Sequence, residues 1–352
     1  MNRRLRNRMT GGVRGRREQS RLLLDLAFKK EHMIQNSIFV VNKEPYCIWE
    51  VDIVKRNDEF LDGIDTNYFE YLLKVHLESD DEKRAAIALR ATLHHAMETM
   101  FSLLGAYIQA PDCAYAWIAK CSNKDLRQLV KKIGGYHNTL FTKLNVEQVS
   151  WESISKLVFQ CYMPDSERNT QTTKLFSSFW QRLAHEFIDM NHVDEYNSIK
   201  HGFRVRSGGF SLAIGLEHEY GVPPPADEMK MIGSSEHGSS FIKIEPVGTS
   251  GNNRSIKSKR TSINWKVEKV ALLIQLVSMS INNIVSALKI ANGAKAGTCQ
   301  FLRPEEDADF ERPWSYCPGV TSFNMDFFIK ESDVKSTTRE ELLKNLNEHK
   351  KS

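Results

Sequence analysis

The chain has 352 residues, a formal net charge of +4, 41% hydrophobic and 26% charged residues. This is the composition of a soluble globular protein of one large or two modest domains, and its small net charge does not by itself indicate nucleic acid. The six cysteines form no C-x-x-C pair and no dense framework, so a reduced, cytoplasmic protein is expected, with no secretory signal in the Arg-rich start.

Residues 1–20 carry Arg3, Arg4, Arg6, Arg8, Arg14, Arg16 and Arg17 against Glu18 alone, which predicts a disordered basic arm. A short helix over 22–34, an extended segment over 37–41 and a helix over 67–77 then make an N-terminal α/extended subdomain, 21–80. Asp80 or Asp81 caps a long helix, 82–110, ended by Pro111, with one apolar arc through Leu89, Leu93, Met97, Met100 and Leu104. Arg90, His94 and Glu98 follow at i, i+4 and i+8 along its edge. Such a ladder suits an interhelical hydrogen-bond network, support for an active site, or a metal site.

A turn and helix over 112–120 follow, then helices over 124–133 and 146–163, a polar loop over 164–173, and a helix from Phe176 to a terminus at Gly202. There the period falls from 3.6 to 2. Phe210, Leu212, Ile214 and Leu216 alternate and 241–244 is a second β-like run, so a small inserted hairpin or sheet is expected near 203–248, with 233–240 as a flexible connector. Residues 248–262 read as a basic polar loop. Helix 265–290 is apolar, yet Gln275, Ser278, Ser280, Asn282, Asn283 and Ser286 make it a core helix rather than a membrane span. It closes a bundle spanning 81–292. An irregular tail, 293–352, ends in a short helix over 340–346.

The chemistry-bearing stretch is Asp194-Glu195-Tyr196-Asn197-Ser198-Ile199-Lys200-His201-Gly202, at the end of the third long helix. Glycine just past a helix end takes positive φ without a Cβ clash, and Lys200 and His201 suit the negative end of the helix dipole, so ordinary capping explains part of the pattern. The stretch also resembles the Arg-Asn-x-Ile-Ala-His-Gly pattern of the HEPN superfamily, matching at Asn197, Ile199, His201 and Gly202, with Tyr196 in place of the arginine and Lys200 in place of a small residue. The resemblance implies a mainly α, HEPN-like helical bundle with no cofactor and no metal. RNA and a second copy of the chain are the partners it implies.

Two functions follow from it. One is a non-catalytic or degenerate helical protein of a prokaryotic defence or regulatory system. The other is a metal-independent endoribonuclease at a dimer interface, in which His201 is the acid or base, Asn197, Lys200 and Tyr196 complete the motif, and Arg90, His94, Glu98 and Arg204 support it. Arg90 and His95 also have the family's arginine-to-histidine separation, but five helical residues turn them about 140° apart. Phosphate-loop, dinucleotide-binding, nucleophile-elbow and HExxH patterns are all missing from the sequence, which removes the commonest motif-bearing enzyme classes.

Overall fold

A computed structural model describes residues 34–135, 140–162, 165–247, 253–326 and 333–349. The basic arm, and the short helix at 22–34 apart from Ile34, lie outside the described residues. The fold opens with an antiparallel hairpin, β1 (Gln35–Val41) and β2 (Glu44–Glu50), turned at Asn42, whose φ of 57° is one that asparagine tolerates. Helices α1 (Ile53–Asp62), α2 (Tyr68–Leu77) and the long α3 (Glu82–Gln109) follow, α3 being capped by the Asp81 side chain, which accepts from Arg84 N. After α4 (Ala114–Lys120) and α5 (Asn123–Gly134) come α6 (Trp151–Phe159) and α7 (Ser166–Ile188), both pre-set by side-chain caps at Ser150 and Asp165. α8 (Met190–Lys200) carries the motif.

The chain then enters strands β3 (Val205–Ser207), β4 (Ser211–Ile214), β5 (Lys230–Ser234), β6 (Gly238–Pro246) and β7 (Ile256–Asn264) before the core helix α9 (Val267–Ala291). Strand β8 (Ser322–Asp326) and helix α10 (Arg339–His349) complete the described fold. β3, β6, β7 and β8 form one antiparallel sheet in the order β3-β6-β7-β8, and β4 pairs with β5.

The mainly α expectation is therefore corrected. Among the described residues the protein is 54% helical and 17% strand, with sheets of two, four and two strands, a mixed α/β class. Four segments account for the difference, the first being β2, where no strand was expected. The basic "loop" 248–262 supplies residues 256–262 to β7, whose outward residues Ser258, Arg260 and Ser262 are polar and so hide the alternation, while 248–252 lie outside the described residues. The "connector" 233–240 supplies the end of β5 and the start of β6, and the irregular tail supplies β8. Likewise the polar "loop" 164–173 is mostly the first two turns of α7, where Thr172 and Thr173 are buried.

The core lies between α3 and α9, filled by Leu93, Met97, Met100 and Leu104 facing Ile274, Val277, Ile281 and Ile284. Gly105 lets the Trp117 ring reach the α3 backbone; a Cβ there would lie 2.2 Å from it. α9 alone is long and apolar enough to cross a membrane by length and composition, among the described residues, but 72% of its apolar window is buried inside the protein. Its polar residues explain why. Ser280 accepts from Trp180 Nε1 at 3.0 Å, and Asn283 both donates to and accepts from the Leu302 backbone at 2.7 Å, zipping the irregular segment onto the helix.

Candidate functional site

The third long helix does not run straight into the motif. Asp189 is extended (φ −63°, ψ 125°), ends α7, and caps α8 by accepting from Asn191 N at 2.8 Å and His192 N at 3.2 Å. This break re-aims α8 so that Glu195, one residue before the motif, is fully buried between α3 and the four-stranded sheet.

Its two carboxylate oxygens serve different halves of the fold. Oε2 faces α3: Arg90 Nε donates to it at 2.9 Å and His94 Nε2 at 3.2 Å. Arg90 Nη2 comes within 2.8 Å of the same oxygen without an aligned N–H, so the contact is electrostatic rather than a two-oxygen fork. Oε1 faces the sheet: Ser239 Oγ on β6 donates at 2.6 Å, and Trp265 Nε1, just beyond β7, at 3.1 Å. The Arg90 guanidinium lies over the Trp265 ring, 5.9 Å from its centroid.

Protonation follows from this geometry. Burial would raise the Glu195 carboxyl, but Arg90's charge and the His94 hydrogen bond outweigh it and hold the group well below the usual carboxylate range. Burial and the Arg90 charge push His94 down to about 4, against the pull of Glu195. At neutral pH the cluster is thus a carboxylate, a guanidinium and a neutral imidazole whose Nε2 carries the proton. Burial also lowers His192, whose Nδ1 donates to the Glu186 carbonyl at 3.2 Å.

The predicted residues divide between this cluster and the surface. Tyr196 stacks on His94, rings 5.1 Å apart, and burial with the nearby Glu98 carboxylate raises its phenol. Lys200 reaches Glu98 at 3.9 Å and lies over the Tyr196 ring. Asn197 lines, with His94, Glu98 and Tyr196, a cavity of about 20 Å³, on the order of one water molecule.

His201 stands apart. It caps α8 and is exposed, and its ring makes no hydrogen bond or ion pair among the described residues; only its backbone carbonyl is engaged, by Arg204 Nε at 2.9 Å. Gly202 beyond it has a φ of 89°. His95 is exposed and packs edge-on against Phe69, away from buried Arg90. No group of histidines, cysteines and carboxylates able to hold a metal occurs among the described residues.

Glu195 lies within the stretch marked from the sequence but was given no role there, and Ser239, Trp265 and His192 were not assigned to the site. The signal available was an arginine and a histidine four residues apart beside an apolar arc, where a buried arginine would call for an anion as its partner. A scan against family models and searches of curated proteins and of solved structures find no match to this chain.

Proposed function

We propose that this protein works by binding rather than by turnover, its HEPN-like helix end serving as scaffold. The observation that carries the reading is the use of Glu195. Glu195, Arg90 and His94, the buried ionisable groups of the cluster, are spent on fastening α8 to α3 and to the sheet, and the adjoining cavity is far too small for a nucleotide. Tyr196, which occupies the arginine position of the motif, turns inward onto His94, whereas His201 turns out to solvent.

The alternative, a metal-independent ribonuclease, requires a second protomer to bring a cation and a substrate phosphate to His201. An RNA cleavage assay with metal chelated separates the two. Intact RNA after incubation with wild type and with His201→Ala supports the binding reading. Cleavage by wild type that disappears in His201→Ala overturns it.

A further inference from the structure

We infer that the open face of the four-stranded sheet binds single-stranded nucleic acid. This deepens the binding reading above by naming the surface and the chemistry of its partner. One face of β6 and β7 packs inward through Phe241, Thr261 and Ile263; the other bounds a groove of about 970 Å³, walled on one side by Phe210, Ser211 and Leu212, where the Phe323 ring packs against Phe210 with centroids 6.2 Å apart.

The antiparallel register sets out what that face presents. Arg206 lies opposite Ser240, Ser240 opposite Ser262, and Ser262 opposite Phe323; in the next row Ile242 lies opposite Arg260 and Arg260 opposite Met325. Each row therefore presents one guanidinium group: two serines separate Arg206 from the Phe323 ring, and Arg260 lies between the aliphatic side chains of Ile242 and Met325. Neighbouring strands are roughly 4.8 Å apart and same-face residues roughly 6.8 Å apart along a strand, a grid on which bases stack and phosphates meet arginines.

Three further observations favour this occupant. No carboxylate lines the groove among the described residues, while Arg204, Arg206 and Arg260 do, so the charge suits an anion. Ile242, Ile244, Phe323 and Met325 are exposed at 57%, 58%, 39% and 43%, an apolar surface that a purely ionic ligand would leave wet. Phe203, beside the groove, is held in the left-handed region at a φ of 49° and is 58% exposed. A bulky residue rarely takes that conformation, and here it keeps an aromatic ring out in solvent at the rim. Duplex presents its phosphates but hides its base faces, so a single strand uses both parts of the grid.

The test is fluorescence anisotropy of the full chain with a labelled single-stranded RNA of about 12 nucleotides, a DNA strand of the same sequence, and the RNA duplex. Wild type should bind either single strand more tightly than duplex, with a log–log salt slope of about −2 for three arginines. Arg260→Glu and Phe323→Ala, both at exposed positions and checked for folding by circular dichroism, should each weaken binding by about tenfold. Arg206→Gln gives a second charge variant should Arg260→Glu fail to fold.

Equal binding of duplex, no binding, or binding that none of the variants alters would overturn the inference, the last placing contact elsewhere, as on the Arg-rich first residues. So would a dimer that binds no strand and that Phe323→Asp dissolves, which would assign the face to a second copy. Gel analysis of the recovered RNA keeps the two readings separate: a cleaved strand defeats the non-catalytic reading, and single-strand binding that the variants leave unchanged defeats this one.

Discussion

Replacing Glu195 by glutamine tests the central cluster most directly. The side chain keeps its shape, but the negative charge is gone and the Arg90 guanidinium, 3% exposed, is left without its counterion. Removing one partner of a buried pair costs about 3–5 kcal/mol, because the remaining charge is desolvated and uncompensated. The amide also brings an N–H₂ into a site where Arg90, His94, Ser239 and Trp265 all donate, so at least one donor faces another donor. The total is a large fraction of the roughly 5–15 kcal/mol that stabilises a typical protein. Urea titration followed by far-UV circular dichroism should show a midpoint lowered by on the order of 1 M or more. Arg90→Met should cost a similar amount, and the double variant Arg90→Met/Glu195→Met should lose less than the two singles added together. A loss of under about 1 kcal/mol in Glu195→Gln would refute the assignment of Glu195 as the pin between helices and sheet.

Acid should destabilise the fold in two stages. His94 is lowered to about 4 in the folded state, so as pH falls below about 6.5 the unfolded chain takes up its proton first, and on the order of 3 kcal/mol of stability is lost by about pH 4. Glu195, held below its ordinary value, stabilises the fold above its unfolded pKa and loses that contribution as pH falls through the folded one; urea midpoints measured from pH 7.5 downward check both, and a flat profile between about 6.5 and 4 would count against the neutral imidazole. Gly105→Ala places a methyl 2.2 Å from the Trp117 ring, so a loss of about 1–3 kcal/mol and a changed tryptophan emission are expected. Asp189→Ala removes the side-chain cap of α8 and should cost about 1 kcal/mol in the same titration. His201→Ala, at an exposed position, should shift stability by less than about 0.5 kcal/mol.

Long apolar periods bounded by caps were legible without coordinates. The 82–110 expectation meets α3 at Glu82–Gln109, capped by Asp81, and the 265–290 expectation meets α9, because each needs only an apolar stripe and a stop signal. β7 was not legible. Its outward face is polar, and Lys257 and Lys259 occupy alternate positions on the other, so period-2 hydrophobicity survives only at its last residues. The start of α7 was hidden for a related reason: Thr172 and Thr173 are buried as polar residues, Thr172 meeting the Arg303 guanidinium at 2.7 Å. Of the candidate site, the ladder Arg90, His94 and Glu98 was visible on α3, whereas its counterpart Glu195 lay within the marked stretch on α8 with nothing to show its role. Glu195 binds residues 105 and 101 positions before it and 44 and 70 after it, and spacing within one helix contains no trace of such pairings.

That long-range pairing changes how the β segment relates to the helices. An inserted sheet joined only through its connecting strands could be lost with little effect on the bundle. Here one carboxylate is satisfied half by α3 and half by β6 and the residue after β7, and neither half alone meets the needs of a fully buried anion. Lys243 on β6 adds a second tie, reaching Asp194 at 2.7 Å and Asn191 at 3.0 Å on α8. Detaching the sheet would therefore leave Glu195 charged, buried and short of two donors, so α8 and the sheet should lose structure together. Rigidity of this kind suits a surface that must hold its arginines and rings in fixed rows, since side chains already in register lose less freedom when a ligand arrives. The buried cluster and the exposed grid are thus two faces of the same strands: Ser239 on β6 turns inward to Glu195, and its neighbour Ser240 turns outward beside Arg206.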